Sequence, residues 1–235
     1  MQEHVVIVGG GSGMGRALAA ELVAQGSEVT VAGRSPDKLE AVRRELGVRT
    51  VATDLASEPD IGRLFATTGR VDHIVTTAAD VGGAYQPVGS YDVTAARAAI
   101  DSKLIGPLLL AKHGAPVLEP GGSIVFTSGI AAYRPGPRAS LLAALNGALA
   151  SLAAALAIEL APLRVNVISP GWVDTPIWQD VAGDAAPERL AAMAARLPVG
   201  RIGRTQDIAA AIIALLRNGF ITGTVLHADG GHRLV

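Results

Sequence analysis

The sequence predicts an α/β fold: one domain whose parallel sheet of seven strands is doubly wound, with helices on both faces. Three observations predict it. Strand and helix signals alternate from end to end of the 235 residues, and repeated βα units with right-handed crossovers make a parallel sheet. The chain opens on an unbroken β-branched run, Val5 to Val8, followed at once by five glycines and a serine between Gly9 and Gly15. A continuous apolar run suits a strand buried on both faces. Finally, 49% hydrophobic against 17% charged residues describes a globular chain with a large core.

Taken in order, Arg16 to Gln25 reads as the first helix. Strand, glycine turn and helix is the context in which a glycine pattern has meaning. The glycines let the backbone turn tightly and approach a pyrophosphate, and the helix N-terminus offers free N–H groups and a partial positive charge. Val29 to Ala32 is a second strand. Ser35-Pro36 starts a helix, with serine as N-cap and proline at the first position, and Gly47 stops it. Val48 to Ala52 is a third strand, ending at Thr53-Asp54. A short helix from Pro59 to Ala66 leads to a fourth strand, Val71 to Thr76. Asp80 to Ser90 reads as a loop. A long helix spans Thr94 to Val117, with a kink expected at Gly106-Pro107. Ser123 to Thr127 is the fifth strand and Arg134 to Pro137 another loop.

The helix from Ala139 to Leu160 is apolar nearly all round. That places it in the core or at a subunit interface, since Ser140, Asn146, Ser151 and Glu159 argue against a membrane span. Arg164 to Ile168 is the sixth strand. Trp172 to Gly200, with its Pro/Gly start and weak periodicity, is the candidate substrate lid. Thr205 to Arg217 is a threonine-capped helix, and Thr224 to His227 is the last strand.

Composition narrows the function. A net charge of -1 makes no electrostatic case for nucleic acid or an acidic membrane surface. The lack of cysteine excludes disulfides, thiol catalysis and cysteine-based metal sites. His4, His73, His113, His227 and His232 show no ligand spacing, so they read as structural or surface residues and no metal site is expected. No signal peptide precedes the first strand, and a cytoplasmic protein is expected.

Several motifs, in order, make the chain resemble the short-chain dehydrogenase/reductase family over essentially its whole length. Val8-Gly9-Gly-Gly-Ser-Gly13-Met-Gly15 is similar to the family's TGxxxGxG turn, with valine for the leading threonine. Asp54-Leu55 resembles the adenine-binding pair after the third strand. Arg164-Val-Asn-Val-Ile-Ser-Pro-Gly171 resembles the sixth strand and its Pro-Gly turn, with Thr175 in place of the nicotinamide-contacting threonine. Ile221-Thr-Gly-Thr and Asp229-Gly-Gly231 resemble the C-terminal signature. The resemblance implies a Rossmann-like fold, a homodimer or homotetramer, and a set of cofactor-binding residues. These are Gly9, Gly11, Ser12, Gly13, Met14 and Gly15, then Arg34, Ser35, Asp54 and Leu55, then Thr77, Ala78 and Ala79, and finally Pro170, Gly171, Val173 and Thr175.

The family's proton-transfer tetrad of Asn, Ser, Tyr and Lys is where the chain departs from the pattern. The four slots hold Lys103, Gly129, Leu142 and Asn146. None of Tyr85, Tyr91 and Tyr133 has a lysine four residues on. Leucine transfers no proton, so another group is needed. Ser128 at the end of the fifth strand, Tyr133 on the following loop and Lys103 are the candidates. Each has a structural alternative: a strand-end cap for Ser128, packing for Tyr133, a solvated or interface charge for Lys103.

Cofactor choice is read at Val31-Ala-Gly-Arg-Ser35. An acidic residue there would grip the ribose hydroxyls of NAD. Gly33 leaves that place empty and Arg34 follows, so NADP(H) is expected over NAD(H). Arg16 is a secondary candidate for the extra phosphate. The resulting expectation is an NADP(H)-dependent oxidoreductase with an atypical active site, acting on a small-molecule substrate. Trp172, Ile177 and Trp178 suggest an apolar carbonyl or enone. The alternatives are a non-catalytic NADP(H)-binding sensor or partner subunit, and an isomerisation or dehydration that needs little of the tetrad.

Overall fold

The computed structural model describes residues 2–78 and 81–235. Seven strands form one sheet: β1 (His4–Val8), β2 (Glu28–Gly33), β3 (Arg49–Ala52), β4 (Val71–Thr76), β5 (Leu118–Thr127), β6 (Arg164–Pro170) and β7 (Val225–Ala228). Their order is β3-β2-β1-β4-β5-β6-β7, and every neighbouring pair is parallel. The helices are α1 (Gly13–Ala24), α2 (Pro36–Leu46), α3 (Glu58–Thr68), α4 (Val93–Ile100), α5 (Gly106–Gly114), α6 (Ser140–Glu159), α7 (Ile177–Ala182), α8 (Ala186–Arg196) and α9 (Thr205–Arg217).

Alternate strand residues point to opposite faces, so one apolar run feeds two cores. Val5, Ile7, Val31, Val75, Val125 and Ile168 meet Leu18 and Leu22 of α1 and Ile208, Ile212 and Leu215 of α9. Val6, Val8, Ile74, Ile124, Phe126 and Val167 meet Ile61 and Leu64 of α3, Leu110 of α5 and Leu149 of α6. The strand order reverses direction between β1 and β4, so the crevice of the doubly wound sheet opens at their carboxyl ends.

The local signals of α2 are realised: the Ser35 hydroxyl accepts the Lys38 N–H, Pro36 is the first residue, and Gly47 is left-handed at φ 69°. Helix α9 departs from expectation. Thr205 is its first residue and not its cap; the Asp207 carboxylate reaches back to accept the Arg204 N–H at 2.7 Å. At the far end of α9, the buried Arg164 guanidinium donates to the Leu215 and Leu216 carbonyls, which no later turn can satisfy. Helix α1 begins at Gly13, three residues before its first apolar turn, because the glycine turn itself winds into the helix.

The long helix predicted over Thr94 to Val117 is broken, one turn earlier than expected. Asp101–Ile105 forms a π turn between α4 and α5. Pro107 brings no N–H, and the Gly106 N–H reaches back five residues to the Asp101 carbonyl. The wide turn ends where Gly106 packs on the Leu55 carbonyl, which a Cβ would approach to 2.8 Å. It turns Lys103 inward to 6% exposure.

Helix α6 is long and apolar enough to cross a membrane by length and composition. One face of it, carrying Leu142, Leu145, Asn146, Leu149, Ala153 and Leu156, is buried in the domain. Burial within the domain accounts for that face alone: Ile158 stands exposed, which leaves the subunit interface as the other place expected for this helix. The histidines at the amino ends of the strands are structural, as read. His4 bonds Thr30, and His73 lies between Ser123 and Glu3.

Candidate active site

The carboxyl end of β1 runs into a turn that only glycine can make. Gly9 and Gly13 have φ of 96° and 53°, a region that disfavours a Cβ. A Cβ on Gly15 would lie 2.4 Å from both the Gly9 carbonyl and Thr77 Oγ1. The end of β4 clamps this turn: the Thr77 and Ala78 N–H groups both donate to the Val8 carbonyl, and the Thr77 hydroxyl donates to the Gly9 carbonyl at 3.2 Å. Ala79, the next residue assigned to the cofactor, lies outside the described residues. Ser12 stands extended at the N-cap of α1 and makes no side-chain cap bond, and the first N–H groups of α1, including that of Met14, lie at the carboxyl end of β1.

The segment after β6 closes over this turn. Thr175 Cγ2 lies 3.7 Å from the Cβ position of Gly13. Pro170 ends β6, and Gly171 packs so tightly on Asp229 that a Cβ would come within 2.7 Å of its Cα. Val173 is buried and forms a bridge to Gly203. Beyond it, Thr175, Pro176, Trp178, Ala186 and Leu190 line an open cleft of about 430 Å³.

On the β2 side, Arg34 is exposed and Ser35 is occupied as the cap of α2. Lys38, which the sequence reading missed, stands beside the turn: its Cβ lies 3.2 Å from the Cβ position of Gly11. The signal was available, since a first-turn lysine on α2 must sit near the end of β1. Arg16 is turned away and paired with Glu45. The Asp54 carboxylate accepts the Ala56 N–H at 3.0 Å, while Leu55 is buried in the core.

At the end of β5 the candidate proton donors separate. Lys103 Nζ donates to the Thr127 carbonyl at 3.2 Å, and burial pushes its pKa down to about 8. The other two N–H groups of the ammonium have no partner among the described residues. Ser128 is buried and donates its hydroxyl to the Asn146 carbonyl at 2.9 Å. It therefore ties β5 to α6, the structural alternative. Asn146 reaches back, its Nδ2 3.2 Å from the Cβ position of Gly129, and its buried Oδ1 has no partner. Leu142 packs with Ala84, Ala99 and Leu145 in a small apolar cluster. Tyr133 lies elsewhere, its ring edge-on to His227 at 4.6 Å. Trp172 and Trp178 stack on each other at 4.3 Å, and Trp178 Nε1 donates to the Val173 carbonyl, so these aromatics pack on the protein itself.

The family described as Enoyl-(Acyl carrier protein) reductase matches residues 9–233. The short-chain dehydrogenase/reductase malC of Malbranchea aurantiaca is 33% identical over 97% of this chain and 94% of its own length. The solved structure of that fungal protein, a reductase/Diels-Alderase, superposes with a TM-score of 0.92 at 32% identity, covering 100% of this chain and 96% of the other. A small-chain dehydrogenase solved in complex with NADPH gives 0.85 at 35% identity, covering 100% of both. The chain belongs to the short-chain dehydrogenase/reductase family. It is an oxidoreductase of that type, and a nicotinamide dinucleotide is the cofactor of the type.

The turn of this short-chain dehydrogenase/reductase fits such a cofactor on its own geometry. Gly9 and Gly15 let the turn close on itself and on the end of β4, where a Cβ on either would come within 2.5 Å of neighbouring atoms, and α1 starts at that turn with its free N–H groups and positive end. The unpartnered Asn146 Oδ1 is an acceptor without a donor at the end of the crevice where Lys103 lies. The short-chain dehydrogenase/reductase fold thus brings together residues from β1, β4, β5, β6 and α6 that sequence spacing alone does not connect.

Proposed function

We propose that the chain is an NADP(H)-dependent oxidoreductase that reduces a small carbonyl or enone compound with Lys103 as proton donor. The observation that carries this reading is the buried Lys103 ammonium, held by one carbonyl and poised near neutral pH. Its neighbours support the assignment. By resemblance, the tetrad slots hold Lys103, Gly129, Leu142 and Asn146, and Leu142 is a packing residue. Of the three candidates, Ser128 has its proton committed to a backbone carbonyl and Tyr133 packs edge-on against His227. Lys103 alone combines spare donors with a pKa suited to general acid work.

A reduced nicotinamide, when bound, would supply hydride to the carbonyl carbon. Lys103 gives a proton to the oxygen as it gains negative charge, and its remaining N–H bonds hold that oxygen. Asn146 Oδ1, buried and without a partner, would accept a hydrogen bond from a hydroxyl of the bound cofactor. Residues 172–200, with α7 and α8, act as the lid over Thr175. Arg34 and Lys38 favour the additional phosphate of NADP(H), because two cations stand where an acidic residue would select NAD(H).

The experiment is to follow cofactor oxidation with a panel of ketones and enones. Turnover with NADPH is expected, with NADPH bound tighter than NADH and the difference lost in Arg34→Ala. Tight NADPH binding without turnover across the panel would instead favour a non-catalytic binding protein. Equal affinity for the two cofactors would overturn the NADP(H) preference.

The exposed apolar part of α6 supports a homodimer or homotetramer in which copies of this helix pack together through small side chains. Light scattering is expected to give two or four chains, and a monomer would contradict it.

A further inference from the structure

The rim beyond β7 carries a cationic cluster that the proposed chemistry does not use. Four segments meet there. Tyr133 and Arg134 lie on the loop after β5, Arg196 ends α8, His227 sits in β7, and His232 and Arg233 form the C-terminal turn. The packing is close. A Cβ on Gly231 would come within 2.6 Å of Pro198 and one on Gly230 within 2.8 Å of Val199, so the turn is pressed against the residues that follow Arg196. Trp172 meets the His232 ring edge-on at 6.4 Å.

The charges are unbalanced. His232 is 7% exposed, and the Nδ1 atoms of both His227 and His232 are buried without a partner. Burial, Arg196 and Arg134 hold the His232 pKa below its ordinary value against the pull of Asp229. Burial and Arg233 do the same to His227. Both rings are therefore neutral near pH 7. Asp229 is the carboxylate at this turn, and it is already engaged: it accepts the Gly231 and Arg233 N–H groups and lies 3.8 Å from Arg233 Nε. The Arg134 and Arg196 guanidinium groups have no ion pair among the described residues. Two planar cations beside a buried imidazole with a vacant nitrogen make a set of donors without an acceptor. A carboxylate fills that need, since it accepts guanidinium bonds in pairs and accepts from the imidazole in the tautomer that carries its proton on Nδ1.

We infer that Arg134, Arg196 and His232 bind a carboxylate on the substrate, so that the enzyme acts on oxo acids. The inference rests on the proposed reductase reading. The sheet sets the length of such a substrate. Thr127, which holds Lys103, pairs with Ile168, and Ser169 pairs with His227. Two strand spacings, roughly 10 Å, therefore separate Thr127, whose carbonyl holds Lys103, from His227 in the strand that borders the rim. That span fits a chain of six or so bonds between the carbonyl and the carboxylate.

Two measurements test it. Octanoate and octanamide, which cannot be reduced, are titrated into the protein with and without saturating NADPH. Octanoate is expected to bind about tenfold or more tighter, the scale of charge-assisted hydrogen bonds. That preference is expected to vanish in Arg134→Ala/Arg196→Ala and to weaken in His232→Phe, which keeps the ring contact with Trp172. Equal binding of the two probes, or a preference that survives the double change, would overturn the inference whether or not the protein turns over. In the second measurement, 7-oxooctanoate and its methyl ester are compared as substrates. The double variant is expected to raise KM for the acid alone, leaving kcat for both and NADPH affinity unchanged. Failure of the reductase reading would look different: neither compound would be reduced, while octanoate would still be preferred.

Discussion

Lys103→Met is expected to lower turnover by about 10²–10⁴-fold, the usual contribution of a positioned general acid, while NADPH still binds. The pH dependence carries the sign. Reduction needs the ammonium form, so kcat/KM of the wild type is expected to be level below pH 8 and to fall above it, following the pKa of about 8. The residual activity of the variant is expected to lack that limb. An unchanged pH profile in Lys103→Met would remove Lys103 from the chemistry.

Stability separates this role from a merely structural one. The folded pKa of about 8 lies below the ordinary 10.5, so between those values the unfolded chain binds the proton that the native chain has lost. Native stability therefore rises with pH across that window, and at pH 7 the buried charge is a burden. Lys103→Met removes it and forfeits one hydrogen bond to Thr127. A net gain of about 1–3 kcal/mol at pH 7 is expected from denaturant unfolding. A catalytic residue that destabilises its own fold is the pattern expected of a functional site. A lysine retained for packing would destabilise on removal.

Gly15→Ala is the second large effect. The new Cβ would face the Gly9 carbonyl and Thr77 Oγ1 at 2.4 Å and the Gly10 Cα at 2.9 Å. Two of those three contacts are backbone, so the turn itself must move. Overpacking of this kind costs about 1–3 kcal/mol. The same distortion displaces the N–H groups that would hold a pyrophosphate, and a loss of roughly 10- to 100-fold in NADPH affinity is expected from it. Gly62→Ala is the control, because nothing lies within 4 Å of its Cβ position. That change sits inside α3 and is expected to stabilise by about 0.4–1 kcal/mol with unaltered NADPH binding. Unchanged affinity in Gly15→Ala would show that the turn does not hold the cofactor.

Legibility varied with the range of the interactions. Strand β4 matches its predicted bounds of Val71 to Thr76, with Gly69 just ahead of it and Val71, Ile74, Val75 and Thr76 supplying β-branched side chains. Helix α2 was readable because serine, proline and glycine act within one turn. The cap of α9 was misread because Thr205 is a good cap by type, yet the Asp207 carboxylate competes for the same backbone and is charged. The break in the long helix was placed at Gly106-Pro107, and the structure spreads it into the preceding turn because the missing N–H is felt upstream. Ser128 and Tyr133 could not be ranked from sequence. Their fates depend on Asn146 and His227, which other elements bring to them.

What the amino-acid sequence determined by itself is the alternation of strands and helices, the glycine turn and the basic residue after β2. Each is written in neighbouring residues, through side-chain period, backbone freedom and charge. The tertiary structure alone decided that Lys103 is buried against the Thr127 carbonyl, and that Arg134, Arg196 and His232 share one rim. Burial and field arise from groups far apart in the chain. A lysine in a helix reads the same whether its amine meets water or the end of a strand, and only the packed sheet settles which.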